Sequence, residues 1–118
     1  MKKVLIVDDA QDSRAVLKGM LKNYNIHILE ANDGLEGWKK IIKERPDLVL
    51  LDIHMPLKDG FEILRDLEEE WMGIPVVVVS GDTGQSTIDS CLTNGASAFL
   101  KKPVELNEFK DAIRVICA

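Results

Sequence analysis

Apolar residues gather in five short runs along the chain, at residues 3–7, 26–31, 48–51, 75–80 and 98–101. Three of these, VLIV, LVLL and VVVV, are unbroken by any polar residue. A strand with one solvated face alternates in polarity, so unbroken runs predict strands covered on both faces. Residues 26–31 include His27 and Glu30 and read as an edge strand. Between the runs, apolar positions recur at helical spacing. The stripes are Leu17, Met20, Leu21 and Tyr24; Leu35, Trp38, Ile41 and Ile42; Phe61, Leu64 and Leu67; and Leu106, Phe109, Ile113 and Ile116. Ile88, Cys91 and Leu92 mark a shorter, more polar helix. Pro46 follows the second helix and Asn94-Gly95 ends the fourth, while Ser13 and Asp59-Gly60 stand at helix entrances. Five strand-then-helix units imply a parallel sheet with right-handed crossovers and helices on both faces. The fold class is α/β, in one domain.

Composition narrows the function. The 118 residues are 46% hydrophobic and 30% charged, enough to bury a core. A net charge of -5 argues against general affinity for nucleic acid or an anionic membrane. No apolar run approaches the roughly 20 residues of a membrane span. The opening MKKVLIVDD is too short in its apolar part for a secretory signal, which points to the cytoplasm. Cys91 and Cys117 fall at apolar helix positions and read as small hydrophobes rather than a redox pair. His27 and His54 show no metal-ligand spacing with them. Trp38, Phe61 and Phe109 read as core. Trp71, behind the acidic residues 68–70, reads as partly exposed, and residues 66–70 as a solvated helix face.

The chemistry is suggested by where the polar residues fall. The first run ends in Asp8-Asp9, the third in Asp52, the fourth in Ser80 and the fifth in Lys101-Lys102. In a doubly wound sheet all of these lie on the carboxyl edge, where such folds bind ligands. Asp52 alone could be a strand-end cap. Three acids, a hydroxyl and an ammonium at such ends are harder to assign to turns. Clustered carboxylates repel one another, and a hard divalent cation removes that penalty. Mg²⁺ takes this kind of ligand set, often together with a phosphate. Pro103 fixes the loop that would aim Lys102 inward.

Four motifs, VDDA (7–10), LLDIHMPLKDG (50–60), VVVVSGD (76–82) and AFLKKPV (98–104), stand in this order over essentially the whole chain. With them the sequence resembles the receiver domain of two-component response regulators, the chemotaxis-type phosphoacceptor domain. The resemblance implies a flavodoxin-like (βα)5 fold with strand order 2-1-3-4-5, spanning residues 1–118. It implies phosphorylation of Asp52 by a sensor histidine kinase or a histidine phosphotransfer protein, with Mg²⁺ as cofactor and Mn²⁺ able to substitute. Asp9 and Asp52 would bind the metal directly, Asp8 mainly through water, and His54 through its backbone carbonyl. Lys102, Ser80 and the Gly81 backbone would contact the phosphoryl group, and Ser80 and Phe99 would form the switch. The downstream partner would dock on the face of the fourth helix, fifth strand and fifth helix, including Phe99, Lys101 and the exposed side of residues 106–118. No direct contact with nucleic acid or membrane is implied. Such a domain catalyses only its own phosphorylation and dephosphorylation, and is a switch rather than an enzyme.

Departures from the common pattern are Ser80 in place of Thr, Val104 where Phe often follows, and Phe99 without a hydroxyl. His54 and Asp82 hold positions that tune phosphoryl lifetime in the family. Two other classes share the chemistry or the fold. A flavin carrier would need a glycine- and hydroxyl-rich first loop, and DDAQDS repels an anion without a cation. A Mg²⁺-dependent Asp phosphatase would need a cap for its substrate, for which 118 residues leave no room. A degenerate receiver, acting without phosphate as an interaction module, is the alternative within the family. A chain of this length stands alone or belongs to a larger regulator or hybrid kinase.

Overall fold

A computed structural model describes residues 1–116. The strands are β1 (Lys2–Val7), β2 (Ile26–Ala31), β3 (Leu48–Leu51), β4 (Val76–Ser80) and β5 (Ala98–Lys101). The helices are α1 (Gln11–Leu21), α2 (Gly34–Glu44), α3 (Gly60–Glu69), α4 (Gln85–Thr93) and α5 (Leu106–Ala112), followed by a 3-10 turn at Ile113–Val115. All strand pairs are parallel, and the order is β2-β1-β3-β4-β5. The expected sheet is therefore present, with residues 26–31 on its edge.

The unbroken apolar runs are explained by two cores. Successive strand side chains point to opposite faces. Leu5 and Val7 join Val49, Leu51, Val76 and Val78 on the face covered by Ile41 of α2, Ile63, Leu64 and Leu67 of α3, and Cys91 of α4. Val4 and Ile6 join Leu48, Leu50, Val77 and Val79 on the other face, under Leu17 and Leu21 of α1, Phe109 of α5 and Ile113. Trp38 and Phe61 pack partly buried against the first core, and Phe109 lies fully buried in the second. Burial pushes the Cys91 thiol up, in keeping with a packing role; Cys117 lies outside the described residues.

Several sequence expectations need correction. Leu35 and Ile42 are exposed, because α2 meets the sheet side through Gly37, Trp38 and Ile41 and the loop before α3 through Gly34 instead. A Cβ at Gly37 would stand 2.7 Å from Val7 Cγ1, and one at Gly34 only 1.5 Å from the Lys58 carbonyl oxygen. Leu106 is also exposed, so the buried stripe after β5 begins at Phe109. Helix α1 ends at Leu21, leaving Tyr24 packed from the following loop. Ser13 is not an entrance residue: the cap is Ala10, and Ser13 lies inside the first turn.

Other local signals act as read. Asp59 forms a reciprocal capping box with Glu62 at the start of α3. Asn94 caps α4, and Gly95 takes the left-handed conformation after it, at φ 102°. Of the acidic face, Asp66 pairs with Lys58 while Glu68, Glu69 and Glu70 are exposed. Trp71 is more exposed than expected, at 92%. Among the described residues no helix is long and apolar enough to cross a membrane.

Candidate functional site

The chain leaves β1 toward the α1 face and leaves β3 toward the α3 face, so a crevice opens between their carboxyl ends. Val7 pairs with Leu51 in the sheet, which puts Asp8 and Asp52 side by side one step further on. Their backbones stay in the ladder: Asp52 N–H donates to the Val7 carbonyl at 2.9 Å and Asp8 N–H to the Ala31 carbonyl at 3.1 Å. One carboxylate oxygen from each of Asp8, Asp9 and Asp52 lies within 4.8 Å of the others. Asp8 and Asp52 are buried and Asp9 is exposed. This is a donor set of hard oxygens with one open side, which can hold a divalent cation.

Lys102 faces the acids from the far side of the sheet. Its backbone N–H donates to the Ser80 carbonyl, continuing the β4–β5 pairing that matches Ser80 with Lys101. Its Nζ lies 2.8 Å from Asp8 Oδ2 and 3.4 Å from Asp52 Oδ2. Lys101 is exposed, as expected of a solvated neighbour. Burial alone would lower the Lys102 ammonium, but Asp8 and Asp52 hold it above the ordinary lysine value. For Asp52 burial dominates and raises the carboxyl, opposed by Lys102 and reinforced by Asp8. Ile53 N–H donates to Asp52 Oδ1 at 2.7 Å and fixes that oxygen, leaving Oδ2 on the Lys102 side.

Ser80 is buried at the end of β4, where its Oγ accepts a hydrogen bond from Asp82 N–H at 3.1 Å. Gly81 leaves the adjacent space open, since a Cβ there would meet nothing within 4 Å. Phe99 is half-buried against the first core. The His54 imidazole, which the resemblance leaves out of the metal site, lies 2.7 Å from Asp82 Oδ2 through Nε2. Thr87 Oγ1 donates to the same oxygen at 3.0 Å, and Gly84 N–H to Oδ1 at 3.1 Å. Together the His54, Gly84 and Thr87 bonds hold the Asp82 carboxyl below the usual range. The loops after β3 and β4 are thereby tied together at the rim.

Two residues near the acids were missed. Ser13 Oγ lies 3.2 Å from Lys102 Nζ, and Arg14 Nη1 donates to the Asp8 carbonyl at 2.7 Å. A signal for both was present. They stand four and three positions before Leu17, on the stripe that α1 turns toward the sheet, where polar residues need partners. Thr87 carries no such signal.

The family model described as the response regulator receiver domain matches residues 4–114. The chain belongs to that family. It is 34% identical over 114 residues to the chemotaxis protein CheY of Listeria monocytogenes, covering 96% of each chain. It is 35% identical over 115 residues to the KDP operon transcriptional regulatory protein KdpE of Escherichia coli, covering 98% of this chain and 51% of that protein. It is 36% identical over 115 residues to the hybrid signal transduction histidine kinase E of Dictyostelium discoideum, covering 92% of this chain and 7% of that protein. The receiver thus recurs in these relatives both nearly alone and as a minor part of a much longer chain. Among solved structures, chemotaxis protein CheY4 of Vibrio cholerae superposes with a TM-score of 0.85 at 28% identity, over 98% of this chain and 99% of that one. The receiver domain of a LuxO repressor protein from Vibrio parahaemolyticus reaches 0.91 at 21% identity, over 97% of this chain and 88% of that one, a likeness of fold.

Proposed function

We propose that this receiver is a phosphorelay switch that takes a phosphoryl group onto Asp52 from a phosphohistidine of a sensor kinase or phosphotransfer protein. One observation carries the reading: three carboxylate oxygens within 4.8 Å of one another face an ammonium 2.8 and 3.4 Å from two of those carboxylates. A surface lysine near a turn has no reason to sit there.

In the proposed step Asp52 Oδ2 attacks phosphorus as the P–N bond to the donor imidazole breaks, and the departing nitrogen keeps the bonding electron pair. An oxygen–phosphorus bond forms, and the product is an acyl phosphate on Asp52. Carboxylate oxygen is a weak nucleophile, so positioning and charge neutralisation provide most of the rate. Ile53 N–H holds Oδ1 and so turns Oδ2 toward the crevice. Lys102, whose ammonium Asp8 and Asp52 hold above the ordinary lysine value, moves its charge onto the incoming phosphoryl oxygens. Asp9 and Asp52, with the His54 carbonyl and with Asp8 through water, are the residues that would hold Mg²⁺. When bound, that ion supplies positive charge to the same oxygens. On phosphorylation the Ser80 hydroxyl would swing away from Asp82 N–H, from which its oxygen accepts, and donate its proton to a phosphoryl oxygen, with the Gly81 backbone leaving room for it. That exchange would bias the loop after β4 and Phe99, and with them the α4–β5–α5 face offered to a downstream protein. In this reading the chain catalyses only its own phosphorylation and dephosphorylation.

Intact-mass measurement after incubation with acetyl phosphate and Mg²⁺ tests this. Wild type is expected to gain one phosphoryl mass and Asp52→Ala none. Equal labelling of both proteins moves the acceptor elsewhere, and no labelling of wild type favours a receiver that works without phosphate.

A further inference from the structure

Beyond the acids and the lysine, a chain of contacts runs from the edge of the sheet to the Asp8–Asp9 peptide. Glu30 on β2 is its anchor. Glu30 Oε1 accepts from Arg14 Nε at 3.1 Å, its Oε2 accepts from Lys18 Nζ at 3.1 Å, and its backbone carbonyl accepts from Lys40. Arg14, whose side chain is only 15% exposed, then donates from Nη1 to the Asp8 carbonyl at 2.7 Å. That carbonyl belongs to the first residue beyond β1, where the strand has ended and the chain turns toward α1. Its direction sets the plane of the peptide joining Asp8 to Asp9. Asp8 is also fixed through its own side chain, by Ala10 N–H and Lys102. Asp9 is exposed, so its carboxylate is aimed by the backbone that Arg14 holds.

We infer that Arg14, held by Glu30, is a positioning residue that aims the Asp8–Asp9 peptide so that the carboxylates converge on a divalent ion. This rests on the Mg²⁺ site proposed above. A planar guanidinium suits the task, because it can donate to a carboxylate and a carbonyl at once in a fixed relative geometry. The opposing idea is that Arg14 is a bystander cation near the acids. The two make predictions of opposite sign. A bystander repels a metal ion, so its removal tightens binding; loss of a positioning group loosens it.

The experiment is calorimetric titration of Mg²⁺ into wild type, Arg14→Met and Glu30→Gln, with folding checked by thermal melts in EDTA. Arg14→Met is expected to bind Mg²⁺ about tenfold more weakly, the usual scale for groups that orient metal ligands. Glu30→Gln is expected to lose a smaller part of the affinity, and to keep that loss in about 0.5 M KCl, where through-solvent charge effects are screened. If Arg14→Met does not fold, the Glu30→Gln result decides alone. Variants that bind as tightly as wild type, or tighter, overturn the role of Arg14 while leaving the metal site intact. A Glu30→Gln loss that vanishes in high salt also overturns it. Wild type that binds no Mg²⁺ removes the metal site and this inference together.

Discussion

At the scale of single residues, Glu30 links edge-strand electrostatics to the site. Burial pushes its carboxyl up, but hydrogen bonds and charge from Lys18 and Arg14 outweigh this and hold it below the ordinary range. A depressed carboxyl contributes stability above its unfolded value, near 4.3, and loses it as pH falls through the folded value. Glu30→Gln should therefore be less stable than wild type at pH 7, by about 1 kcal/mol or less because the pairs are partly solvated. The gap should close in acid. Urea midpoints for both proteins across pH 3 to 7 would check it, and a gap that widens in acid would refute the assignment. Asp52, Lys102 and the flanking acids were legible as a set in the sequence because each follows an apolar strand. Ser13 and Arg14 were harder to see, since their meaning depends on which face of α1 meets the sheet.

The second helix shows how an element can mislead. Its apolar residues repeat with helical period, yet Leu35 and Ile42 face solvent, and the closest approach to β1 is made at a glycine, Gly37 against Val7. Periodicity registers side chains that are present; it cannot register a close approach that requires their absence. Gly37→Ala places a methyl group against Val7 and should cost about 1–3 kcal/mol, the range for over-packing a filled core. Denaturant unfolding of Gly37→Ala and of the exposed control Gly19→Ala, where an added Cβ meets nothing within 4 Å, measures this. Equal gains in both would show that helix propensity, which favours Ala over Gly, and not packing governs the site. The strands and the entrance to α3 were readable because unbroken apolar runs and a capping box each have one common structural solution.

Across the whole molecule, one sheet divides two cores, and the strand order gathers distant carboxylates at a single edge. That convergence follows from alternating strand and helix segments, so it could be anticipated without coordinates. The tie between His54, Asp82 and Thr87 could not, because it depends on how two loops lean toward each other. The loop after β3 also leans the other way, where Lys58 sits 5.2 Å over the ring of Trp38. The second tryptophan, Trp71, is bathed in solvent. Trp38 thus carries an ammonium from the loop that follows β3 against its ring while Trp71 stands in solvent, so the two indoles are expected to report differently on any change in that loop. Acetyl phosphate with Mg²⁺ should alter the fluorescence of wild type and Trp71→Phe but leave Trp38→Phe dark to the event, giving a real-time optical record of a reaction that otherwise has no colour.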